Sequence, residues 1–163
     1  MIISIELIIS ITAVLTGLLL LIFAVDWSHF RDWIVVFLYK CVLDSLLGTF
    51  VVNANHIEYP YRQLPHILKM SLLFEYWIFP ILCILFNQVT RERGIWPILF
   101  YAAAFSAGIT AIEYPLERYT ELIRYIDWSS STTFFALFMT FLSSRVFIAF
   151  YRWGCNYFPK QNK

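Results

Sequence analysis

The stretch Ile2–Val25, IISIELIISITAVLTGLLLLIFAV, decides what kind of fold this chain can have. Only Glu6 and small polar residues interrupt it, and as a helix rising about 1.5 Å per residue it exceeds a hydrocarbon core of about 30 Å. No Lys or Arg precedes it and no A-x-A-like site closes it, so it reads as a span rather than a secretory signal. Four further apolar runs follow, Trp33–Asn55, Met70–Val89, Ile95–Ile112 and Trp128–Tyr151. None shows the period-two alternation of barrel strands, which leaves helices as the way to satisfy a backbone in lipid. The expectation is an all-α integral membrane bundle of five transmembrane helices, forming a single domain over residues 1–163.

Composition supports this class. The chain is 60% hydrophobic and 14% charged, whereas soluble domains run roughly 45–50% and about 25%. Five spans leave no room for a separate soluble enzyme domain. A net charge of +1 offers no footprint for nucleic acid. Cys41, Cys83 and Cys155 lie far apart with no CxxC spacing, so neither a disulfide framework nor a zinc site is expected. Trp27, Trp33, Trp96, Trp128 and Trp153 fall at predicted span ends, as an interfacial aromatic belt requires, and only Trp77 lies within a run.

With five spans the termini face opposite sides. Arg31, Arg91, Arg93, Arg152, Lys160 and Lys163 lie on the C-terminal side, against Arg62, Lys69, Arg118 and Arg124 on the other. The positive-inside rule then places a multi-pass protein in the cell membrane with its N-terminus outside and C-terminus cytoplasmic. The outer loops are patterned. Leu116, Tyr119, Ile123 and Ile126 recur at steps of three and four, which predicts a short amphipathic interfacial helix started by Pro115. Ile57-Glu58-Tyr59-Pro60 echoes Ile112-Glu113-Tyr114-Pro115, but the flanking residues do not align, so it reads as shared helix-ending chemistry rather than duplication.

Three segments carry a resemblance: Glu58-Tyr59-Pro60 followed by Arg62, Phe74-Glu75-Tyr76 with Pro80 and Asn87 downstream, and Glu117-Arg118-Tyr119-Thr120 running into Ile123, Tyr125 and Trp128. Together they make the chain similar to an uncharacterised family of short multispan membrane proteins from Bacillus- and Clostridium-type spore formers. The resemblance implies a bacterial inner-membrane setting and no particular activity.

Ionisable residues inside a membrane cost roughly 2.5–3.5 kcal/mol each on insertion scales and mark functional sites or buried pairs. Lys40, Asp44, Gly48 and Asn55 share one face of the second helix by their spacing. This stripe is either a Lys40–Asp44 pair within a packing seam or a polar pathway, to which Glu75 and Glu113 would add carboxylates. Glu75 precedes Pro80, whose missing N–H frees a carbonyl near Tyr76, a setting for a cation or proton; alternatively Glu75 pairs with Lys69, Arg62 or Arg118. His56, Glu58, Arg62 and His66 form an outer-loop cluster without metal-ligand spacing. Ala102, Ser106 and Thr110 form a small-residue face suited to helix packing.

No nucleophile elbow or phosphate loop is present, and no catalytic residue, metal or cofactor is assigned. The leading expectation is a non-enzymatic subunit or accessory protein, linked by the resemblance to sporulation, germination or envelope stress. Its partners would be the bilayer and another membrane protein or a second copy. The alternatives are a small cation- or proton-translocating transporter or channel and, behind it, a lipid-directed enzyme using the outer cluster.

Overall fold

A computed structural model of the chain describes residues 5–61 and 71–157. The helices are α1 (Ile5–Leu19), α2 (Phe30–Asn53), α3 (Phe79–Val89), α4 (Ile95–Tyr119) and α5 (Ser130–Tyr157), with two short strands, β1 (Ile57–Glu58) and β2 (Arg124–Tyr125). Four helical segments are long and apolar enough to cross a membrane: Ile5–Ala24, Trp27–Asn53, Ile95–Tyr119 and Ser130–Tyr157. Phe74–Val89, which includes the turn leading into α3, is apolar but shorter. Large apolar side chains such as Leu46, Phe50, Phe100 and Val146 lie on the outside of the bundle, as lipid rather than water would allow.

The helix ends follow from local chemistry. α1 runs into a widened turn over Leu20–Ala24, closed by Val25 N donating to Leu20 O at 3.1 Å. Asp26 then caps the short turn Trp27–His29 by accepting from Ser28 N at 3.0 Å. α2 stops because Asn55 takes a left-handed conformation, φ 58°. His56 N donates to Val51 O and Asn55 N to Val52 O, both at 3.1 Å, the paired closure that satisfies the last carbonyls of a helix. Asn55 therefore ends α2 and does not extend the Lys40–Asp44 face.

β1 and β2 pair antiparallel with Ile57 opposite Tyr125 and Glu58 opposite Arg124. Tyr61 N donates to Glu121 O at 2.8 Å and Ile126 N to His56 O at 3.0 Å, extending the ribbon at both ends. This pairing overturns the expected interfacial helix over residues 116–126. α4 does not stop at Ile112; it continues through Pro115 to Tyr119, and Thr120 caps it by donating both N–H and hydroxyl to Leu116 O. A proline so near a helix end sacrifices one backbone bond without breaking the last turn. Leu122 and Ile123 are then buried, Ile123 against Ile57 and Tyr59, while Tyr119 and Ile126 remain exposed. The IEYP echo thus adopts two structures, a strand leading into a bend at Pro60 and the interior of α4 around Pro115, which excludes a structural repeat.

The core lies between α2, α3, α4 and α5. Phe86, Phe105 and Phe141, one each from α3, α4 and α5, have ring centroids 5.1–6.0 Å apart, contacts worth about 0.5–1.5 kcal/mol per pair beyond burial. α1 is peripheral and buries only Ser10 and Gly17. Gly17 is needed because the Trp77 indole occupies the space a Cβ would take, and Trp77 Nε1 donates to Val14 O at 3.3 Å. At the other end of α1, Gln88 accepts from Asp26 N at 2.8 Å and donates to Ala24 O at 2.9 Å.

Candidate functional site

The polar residues of α2 meet α3 and α5 in the interior. Lys40 Nζ donates to Asp44 Oδ1 at 2.6 Å and to Thr140 Oγ1 of α5 at 3.1 Å. It also lies 5.9 Å from the ring centroids of Phe79 and Phe141, close enough for a cation–π attraction. Lys40 is only 1% exposed and Asp44 8%, so the ammonium does not reach the surface. An ion pair so buried is held together by geometry because each charge left alone would cost several kcal/mol.

Glu75 approaches the same face one turn further along. A Cβ added to Gly48 would meet both its carboxylate oxygens, so the bare glycine makes room for the carboxyl group. Glu75 is 4% exposed. Among the described residues, neither Glu75 Oε2 nor Asp44 Oδ2, both buried, has a hydrogen-bond partner. No ion pair joins Glu75 to the exposed Arg118 among the described residues.

The backbone beneath Glu75 is also irregular. Phe74–Ile78 forms a widened turn in which Phe79 N donates back five residues to Phe74 O. Because Phe79 N is diverted and Pro80 has no N–H, the Glu75 carbonyl loses the donor that a regular helix would supply. Ser45 Oγ of α2, 2.6 Å from Tyr76 Oη, ties this turn in place. A cavity of ≈ 200 Å³ runs along the arrangement, lined by Lys40, Asp44, Gly48, Glu75 and Thr140, with Tyr59 among its other walls.

Glu113 stands apart from this cluster. It lines a second, largely apolar cavity of ≈ 180 Å³ with Tyr59, Trp128 and Thr133. Thr133 Oγ1 accepts from Trp128 Nε1 at 2.8 Å and lies 3.0 Å from the Tyr125 hydroxyl. Burial first, then the Glu113 carboxylate, raises the Tyr125 phenol above the ordinary tyrosine value. Tyr59 lies between the cavities and lines both. Burial, followed by the Glu75 and Glu113 carboxylates, holds its phenol well above the ordinary value.

The remaining candidates are dispersed. His56 Nδ1 is 3.7 Å from Asp127, and Glu58 is 3.7 Å from Arg124, which also pairs with Glu121 at 2.8 Å. Arg62 and His66, with Lys69, lie outside the described residues. Among the described residues no group of three His, Cys, Asp or Glu side chains is placed to hold a metal ion. Ala102 and Ser106 are fully buried on α4, and Ala102 belongs to the core shared with Phe86 and Phe141. Those two positions are covered from within the chain, and Thr110 is half-buried. Glu6, at the start of α1, accepts a long bond from Glu121 N at 3.5 Å.

Thr140 and Tyr59 were not marked by sequence reasoning. Thr140 follows Thr133 by seven residues on one face of α5, which was a usable signal. Tyr59 carried none, because its position depends on the long-range pairing of β1 with β2. Comparison with known proteins yields no matching family model, curated protein or solved structure.

Proposed function

We propose that the protein is a five-span integral membrane protein, N-terminus outside and C-terminus cytoplasmic, that takes up and passes on a proton or small monovalent cation at Asp44 and Glu75. One observation carries this reading: two carboxylates and one ammonium share a buried site, and among the described residues each carboxylate has an oxygen without a hydrogen-bond partner. With every group ionised the cluster holds one negative charge in excess. In a medium of low dielectric constant that excess is neutralised by binding a proton or a cation. The widened turn at Glu75 supports the same reading, since such turns recur at functional sites and expose backbone carbonyl oxygen.

A subunit or accessory role draws its main support from the Ala102–Ser106–Thr110 face, of which Ala102 and Ser106 are buried inside the chain. A lipid-directed enzyme would draw on His56, Glu58, Arg62 and His66, of which the first two face Asp127 and Arg124 and the last two lie outside the described residues. The buried charge cluster therefore favours transport over both.

The test is flux in vesicles carrying the purified protein and a trapped pH-sensitive dye, with sodium or potassium varied independently of pH. Wild type should acidify the lumen down an imposed gradient, and Asp44→Asn and Glu75→Gln should abolish this while retaining helical content. Cation dependence of the flux would assign the carried ion. Undiminished flux in both variants would remove the cluster from the mechanism.

A further inference from the structure

The Glu113 cavity is chemically unlike the charged cluster. Its ≈ 180 Å³ is walled mainly by hydrocarbon and by the aromatic residues Tyr59, Phe74, Phe79 and Trp128, and among the described residues Glu113 is its one charged group. Thr133, the other polar residue in the wall, already engages Trp128 and Tyr125 through its hydroxyl. Among the described residues no Lys or Arg forms an ion pair with Glu113. In its ionised form Glu113 would repel anions and attract cations, and aromatic faces stabilise a desolvated cation further. For scale, an apolar cavity of about 150 Å³ accommodates benzene.

We propose that this cavity binds a lipophilic ammonium ion, a tertiary or quaternary amine carrying one ring-sized apolar group. The ammonium faces Glu113 and the ring fills the apolar remainder. Charge complementarity selects this occupant over a neutral hydrocarbon or a fatty acid, neither of which would balance the carboxylate. The site involves neither Asp44 nor Glu75, although the two cavities share Tyr59, Phe79, Trp128 and Ala136 in their walls.

Benzyltrimethylammonium and the similarly sized anion benzenesulfonate are the probes, titrated calorimetrically into the full chain in lipid nanodiscs. Wild type should bind the cation saturably and the anion not at all. Glu113→Gln should weaken cation binding at least tenfold. Ala136→Leu, which narrows the cavity while keeping Glu113, should weaken it likewise. Asp44→Asn should bind as wild type does, which separates this site from the ion path and shows that a variant in the bundle can fold. Absence of saturable cation binding in wild type, equal binding of the anion, or unchanged affinity in Glu113→Gln would each overturn the proposal.

Discussion

The Glu75 carboxylate rests over the bare Cα of Gly48: a methyl group built on Gly48 would stand 2.6 Å from Oε1 and 2.7 Å from Oε2. The two residues come from separate helical segments, and the absence of one side chain lets the other enter. Gly48→Ala should therefore expel the carboxyl group without breaking the bundle, because the clash falls on the far end of a flexible side chain. Misplacement by about 1 Å can cost a hundredfold where geometry governs a rate. Ion flux should collapse in this variant while its melting temperature stays near that of wild type; full flux would separate Gly48 from the site.

Lys40 and Asp44 should behave as a unit. Lys40→Met leaves Asp44 buried without its partner and should destabilise the protein by about 3–5 kcal/mol. The double variant Lys40→Met/Asp44→Leu removes both charges and should recover most of that loss. Thermal unfolding in detergent measures both, and additive destabilisation in the double variant would contradict the pairing.

The ribbon that joins the end of α2 to the approach of α5 can be trapped covalently. Glu58 and Arg124 are register partners on an exposed face. With Cys41, Cys83 and Cys155 replaced, Glu58→Cys/Arg124→Cys should form an intramolecular disulfide under mild oxidation. A protease cut introduced between the two positions would then leave the halves joined until reduction. Separation under non-reducing conditions would refute this register.

The turn between α1 and α2 supplies a pH signature. Hydrogen bonds from the Ser28 side chain and backbone, followed by the charge of His29, hold the Asp26 carboxyl below its ordinary value of 3.8. A lowered folded-state value means that the contribution is complete above the unfolded value and is lost as pH falls through the folded one. Wild type should therefore lose more stability on acidification below about pH 4 than Asp26→Asn does. Parallel acid dependence in the two would remove Asp26 from the balance.

The sequence made the helices legible because a long apolar run has few alternatives. It also exposed Lys40, Asp44 and Gly48 as one face, since their four-residue steps are a property of one helix. What it hid depends on distant partners. Leu116, Tyr119, Ile123 and Ile126 have helical spacing, but the later two follow the backbone bonds between Tyr61 and Glu121 and between Ile126 and His56. Asn55 has the right offset for the polar face and the wrong conformation. Glu75 was legible as a buried acid near a proline, whereas its seat on Gly48 required knowing how α2 and the turn before α3 meet.

The Lys40–Asp44 contact lies within one helix, and this bears on biosynthesis. A charged segment leaving the translocation channel meets lipid before its later neighbours have been made. Four residues apart, ammonium and carboxylate can meet as soon as the helix winds, so on the proposed membrane reading the segment would partition into the bilayer as a neutral whole. Thr140 is synthesised a hundred residues after Lys40 and arrives only to complete the shell. Among the described residues Glu75 has no such companion on its own helix, so on the proposed membrane reading its entry into the bilayer would draw on the space that Gly48 leaves on α2.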